Sequence, residues 1–177
     1  MRKKRRRLRK WVVSTLQGIT VVSLVFAFTL LAPFKIAVVS GQSMEKTLHD
    51  KEVLLFLKTS RIKNNDVAIF KSPTSWGLKG EWLIKRVVGK PGDRLRINGN
   101  KIYVNDTLYD TFTKWNKTGD IDITLDGYFV MGDNRVVSKD SRMIGFIDKA
   151  SIEGKAVFIV WPLNRIGGLK DYSDLYQ

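Results

Sequence analysis

Glu81-Trp82-Leu83-Ile84-Lys85-Arg86-Val87-Val88-Gly89 reads as a β-strand. It is rich in aromatic and β-branched residues and runs into a turn signal, Pro91-Gly92-Asp93. The two-residue period of a strand puts Lys85 on one face with Leu83 and Val87, and Arg86 on the other with Ile84 and Trp82. A lysine among apolar neighbours is either an edge residue that keeps its charge in water or a desolvated amine. This segment alone leaves both readings open.

Similar short runs recur on either side: 36–39, 53–57, 67–70, 95–97, 101–104, 128–131 and 156–161. Between them stand Asn64-Asn65-Asp66, Asn98-Gly99-Asn100, Asp126-Gly127 and Gly132-Asp133-Asn134, which are turn signals. The expectation is a mainly β domain over residues 33–177. Residues 97–103 are expected to form a hairpin, because Asn-Gly flanked by strand formers is a strong turn signal. The more polar stretch 105–125 is read as a small excursion from the core.

Upstream the text is helical. Trp11 to Ala32 is a run of 22 residues without a formal charge; at 1.5 Å per residue it covers about 33 Å, enough for one transmembrane helix. A cleaved secretory signal has a shorter apolar region and a small residue where Phe34 stands. Residues 1–10 carry eight cations, whereas Lys35 alone follows closely, so the N-terminal tail is expected in the cytoplasm and the β domain outside the cell membrane. The formal charge of +14 leaves only +6 once that tail is set aside. A basic run can also be a nucleic-acid arm, but next to an apolar span, topology and contact with the lipid bilayer explain it without nucleic acid.

The chain has no cysteine and one histidine. That excludes disulfides, thiolate nucleophiles, cysteine-ligated zinc and a histidine-rich metal site. A serine nucleophile then needs His49 or a lysine as its base. His49 lies six residues after Ser43, a spacing that seldom aligns imidazole with hydroxyl. A lysine base must fall from a pKa of about 10.4 toward 7 to 8, at a cost of roughly 4 kcal/mol, and burial is the usual means. Lys85 is the candidate. A third stretch, Gly132-Asp133-Asn134-Arg135 with Ser138 and Asp140-Ser141-Arg142, is dense in orienting groups and is otherwise a solvated loop.

Ser40-Gly41-Gln42-Ser43-Met44, then Lys85-Arg86-Val87-Val88-Gly89-Lys90-Pro91-Gly92-Asp93, then 132–142 resemble, in order, the boxes of type I signal peptidase. The stretch 65–70 is similar to a weaker box. The resemblance covers residues 11 to about 166, in the compact single-span form typical of Gram-positive bacteria. It implies the family's extracytoplasmic β-sheet domain and a Ser-Lys serine endopeptidase that removes signal peptides from exported pre-proteins, with no metal or organic cofactor. Position by position, it implies Ser43 as nucleophile, Lys85 as general base, Ser138 bonded to the lysine amine, Asp140 with Arg142 as a buttress, and Asp133 paired with Arg86. Val39, Met44, Leu48, Leu83 and Ile84 flank the pair and are the candidate walls of shallow pockets for small-x-small cleavage sites.

The chain departs from that family at Lys46, where the family has proline. A second cation near Ser43 either depresses Lys85 by repulsion or disturbs the turn. On this reading Lys46→Pro leaves cleavage intact or improves it. Ser43-Met44-Glu45-Lys46 also fits the S-x-x-K of penicillin-recognising enzymes, with Tyr103-Val104-Asn105 and Lys117-Thr118-Gly119 as later mimics. Those enzymes need a helix beginning at the serine. A third reading is an inactive relative that binds pilin, secretion machinery or another secreted partner through the same groove.

Overall fold

The computed structural model describes residues 2–74, 77, 80–111, 119–122 and 127–169. The chain divides into two compact units, residues 1–34 and 35–177. The first is helix α1 (Arg2–Leu31). Its threonine hydroxyls bond to the helix itself: Thr15, Thr20 and Thr29 each donate to a carbonyl one turn back, at 2.8 to 3.1 Å, so these three need no solvent partner. Leu16, Ile19, Val22, Leu24, Val25 and Phe26 are exposed around it. The helix expected upstream of the β domain is present. Among the described residues no helix is long and apolar enough to cross a membrane.

The second unit is built on strands β1 (Phe34–Val38), β2 (Val53–Leu57), β3 (Val67–Lys71), β4 (Trp82–Gly89), β5 (Arg94–Asn98), β6 (Lys101–Val104), β7 (Thr107–Thr111), β8 (Gly119–Asp122), β9 (Gly127–Met131), β10 (Ile147–Asp148), β11 (Ile152–Trp161) and β12 (Gly167–Gly168), with a one-turn helix α2 (Ser141–Ile144). The larger sheet has the order β1-β2-β11-β3-β4-β9-β10, and β12 pairs with β11. The smaller has the order β7-β6-β5-β8.

Burial follows the strand period. Val67 and Ile69 enter one core cluster with Val39, Met44, Leu48, Leu54 and Phe56, while Ala68 and Phe70 enter another with Ile62, Val87 and Val130. Both faces of β3 are thus covered, and its first four residues are all buried. A third cluster joins Val88, Phe129 and Met131 of the larger sheet to Leu95, Ile97, Ile102 and Val104 of the smaller. The hairpin expected at 97–103 is β5–β6, closed by the pair Asn98–Lys101 around Gly99, whose φ is +57°. Within the stretch read as an excursion, 107–111 and 119–122 are strands; 112–118 and 123–126 lie outside the described residues.

Candidate active site

Ser43 sits in a turn pinned at both ends. Before it, Gly41 adopts φ +86°, a conformation open to glycine, and its N–H donates to Asp50 Oδ1 at 2.8 Å. After it, the N–H groups of Thr47 and Leu48 donate to the Met44 carbonyl at 3.1 and 2.9 Å. Met44 and Leu48 are buried in the core and hold the turn down. Lys46, between them, is exposed and has φ +90°.

Lys85 lies in β4 between β3 and β9, opposite Ala68. It is only 4 % exposed, and its Nζ donates to Ser43 Oγ at 2.5 Å. Burial pushes the amine down from its ordinary 10.5 to about 8; Asp140 and Asp133 oppose the fall and Arg142 adds to it. Of the two readings that the strand leaves open, the desolvated amine is the one found.

Arg86 faces the other way. Its Nε and Nη2 donate to Asp133 Oδ1 and Oδ2 at 2.9 and 2.7 Å, and Nη1 donates to the Asn65 carbonyl at 2.7 Å. Thr47 Oγ1 donates to Asp133 Oδ2 at 2.5 Å. All three side chains are buried. This network ties β4, the Ser43 turn and the 132–135 loop together. Thr47 gave no sequence signal, being one small polar residue in a turn.

Asp140, fully buried, accepts from Arg142 Nε at 2.8 Å and Nη2 at 2.9 Å, and from the Gly132 N–H at 2.9 Å. It also caps α2 through the Arg142 N–H. Ser138 is buried, but its Oγ has no hydrogen-bond partner among the described residues. The expected bond from Ser138 to the lysine amine is not made here: Lys85 is bonded to Ser43, and the Ser138 hydroxyl packs against Gly132. A Cβ at Gly132 would collide with Ser138 Oγ and with the Ser43 main-chain oxygen.

A cleft of about 390 Å³ opens at the pair, lined by Val39, Ser43, Met44, Leu83, Ile84 and Lys85, with Phe56, Ile69 and Trp82 also on its wall. Leu48 does not line it; the residue is wholly buried in the core because it belongs to the turn and points beneath it. The other four candidate walls do line it. His49 is far from a base's role: it is exposed, and its Nδ1 lies 2.5 Å from Glu45 Oε2. The S-x-x-K alternative fails on local structure, since residues 43–47 form turns and no helix begins at Ser43.

Known proteins resemble most of the chain. Signal peptidase I of Bacillus licheniformis is 32% identical over 92% of this chain and 94% of its own. Signal peptidase IB of Staphylococcus aureus is 30% identical over 90% of this chain and 93% of its own. A solved signal peptidase I from Enterococcus faecalis is 28% identical and covers 54% of this chain and 96% of that one, with a TM-score of 0.43. The family described as signal peptidase, peptidase S26, matches residues 8–161. The chain therefore belongs to the signal peptidase family, peptidase S26, and is a hydrolase.

Proposed function

We propose that the chain is a membrane-anchored serine endopeptidase that cleaves signal peptides from exported pre-proteins with Ser43 and Lys85. One observation carries the reading: a buried amine with its pKa lowered to about 8 stands 2.5 Å from a serine hydroxyl at the edge of an apolar cleft. In the neutral form the amine accepts the hydroxyl proton as Ser43 Oγ attacks the scissile carbonyl. The Ser43 N–H donates to the resulting oxyanion, a contribution of about 3 kcal/mol in comparable sites. The protonated Lys85 then returns its proton to the leaving amine. Water, deprotonated by the same lysine, releases the acyl group and restores Ser43.

The substrate fits as an extended segment whose alternate small side chains face Val39, Met44, Leu83 and Ile84. Arg86, Asp133, Asp140 and Arg142 hold the loops around the pair, and Ser138, whose buried Oγ has no hydrogen-bond partner among the described residues, is the candidate to orient the lysine amine. The uncharged residues 11–32 serve as the anchor, with residues 1–10 on the cytoplasmic side against anionic lipid. The test is cleavage of a precursor with a small-x-small site by wild type, Ser43→Ala and Lys85→Ala, in lipid. Either variant cutting at the wild-type rate overturns the assignment. A protein that binds the precursor and never cuts it supports a binding role instead.

A further inference from the structure

Asp110 is the last residue but one of β7 in the smaller sheet, while Arg135 follows the 132–134 loop on the larger one. Their side chains are 3 % and 7 % exposed, and Arg135 Nε donates to Asp110 Oδ2 at 2.7 Å. The same guanidinium reaches on: its Nη1 donates to the Gly132 carbonyl at 2.5 Å. Gly132 is thus gripped twice, by Arg135 through its C=O and by Asp140 through its N–H. Two residues later, the Asn134 N–H donates to the Ser43 carbonyl at 3.1 Å. No atom beyond a glycine's fits between this loop and Ser43, because a Cβ at 132 would strike the Ser43 oxygen. Where the Gly132 peptide sits therefore sets where the Ser43 peptide sits.

A second strut runs beside the first. Tyr109, next to Asp110, donates from its hydroxyl to Asn65 Oδ1 at 2.8 Å, and the Asn65 carbonyl accepts from Arg86. Burial pushes the Tyr109 hydroxyl well above its ordinary range, so it stays a protonated donor. One strand of the smaller sheet thereby touches both loops behind the Ser43–Lys85 pair.

We propose that Arg135, braced by Asp110, is a positioning residue for the nucleophile: it presses the Gly132–Asn134 loop against the Ser43 turn and makes the smaller sheet a structural support of the active site. The proposal rests on Ser43 and Lys85 being the reacting pair. A buried guanidinium suits the task, since its fork bonds the carboxylate and the peptide oxygen in one plane, which a lysine amine cannot do.

The test uses the full chain in lipid, with kcat and KM measured separately on a precursor bearing a small-x-small site. Arg135→Lys keeps the charge and loses the fork. Asp110→Asn with Arg135→Met removes both charges, so neither is left buried without its partner. The double variant should lose about tenfold or more in kcat, with KM within about twofold, at a temperature where its melting curve shows it folded; Arg135→Lys should fall between. A folded double variant with kcat within about twofold of wild type overturns the proposal, as does a loss that matches the unfolded fraction. If the double variant does not fold, Arg135→Lys decides by the same threshold. Ser43→Ala runs alongside: if it still cuts, the dyad itself is wrong, whereas an inert Ser43→Ala with a fully active Arg135→Lys condemns only the positioning role.

Discussion

The carbonyl oxygen of Ser43 accepts a hydrogen bond from the Asn134 N–H at 3.1 Å, so the peptide of the proposed nucleophile is fastened to the loop after β9. Gly132 makes that approach close. Gly132→Ala should therefore cost activity and stability together, because its methyl meets backbone on one side and buried Ser138 on the other. The expected effect is a loss of more than about a hundredfold in kcat/KM and roughly 1–3 kcal/mol in urea unfolding. Wild-type kinetics in this variant would mean that the loop and the turn move apart without consequence.

The pH profile follows from the amine. On the proposed mechanism only the neutral form of Lys85 takes the Ser43 proton, and burial lowers the amine's pKa to about 8. The rate constant kcat/KM should rise about tenfold per pH unit below that value and level off above it, with the midpoint near pH 8. A profile already flat from pH 6 upward contradicts the lysine base.

Holding that amine in an apolar site strains the fold. Its folded pKa of about 8 lies below the ordinary 10.5, so at pH values between the two the unfolded chain binds more protons than the native one. Stability should rise with pH across this window and level off above it. Below pH 8 the shift corresponds to about 3 kcal/mol of destabilisation. Lys85→Met should abolish cleavage yet stabilise the protein at pH 7 by about 1–3 kcal/mol, a gain that fades toward pH 10.5. Thermal unfolding at two pH values checks both sign and window.

Lys46 corrects the sequence reading. Its φ of +90° is closed to proline, whose ring fixes φ near −65°. Lys46→Pro should therefore disrupt the turn that carries Ser43 and lower kcat/KM, contrary to the expectation drawn from the family pattern. Lys46→Gly should relieve about 1 kcal/mol of backbone strain and leave the activity in place. Chemical denaturation of the two variants, with cleavage rates, separates a conformational role for position 46 from an electrostatic one.

What could be read from the residues alone was what alternation controls. The placement of Lys85 and Arg86 on opposite faces of one strand needed only the two-residue period, and so did the strands around it. Leu48 faces the core and not the cleft because it belongs to a turn, where no period tells which way a side chain points. β7 was hidden for a related reason: Thr107–Thr111 turns inward a carboxylate, Asp110, and a tyrosine, Tyr109, so its buried face looks polar until Arg135 and Asn65 are seen against it. β10 and β12 have two residues each, too few for any pattern. The meeting of Ser43 and Lys85, 42 positions apart, came from the resemblance and not from spacing.

Because Lys85 and Arg86 are neighbours facing opposite ways, one toward Ser43 and one toward Asp133, the proposed chemistry depends on the alignment of β4. Sliding that strand by a single position one way would deliver a guanidinium, which never loses its proton, to the hydroxyl; sliding it the other way would bury a titratable amine beside Asp133 and bring Ile84 to the hydroxyl. A protein so shifted would still look folded from outside and be inert. The hydrogen-bond ladders to Val67–Lys71 on one flank and to Phe129–Met131 on the other thus act as a lock on catalytic identity, and mutations that loosen either ladder should yield intact but dead molecules before they yield unfolded ones.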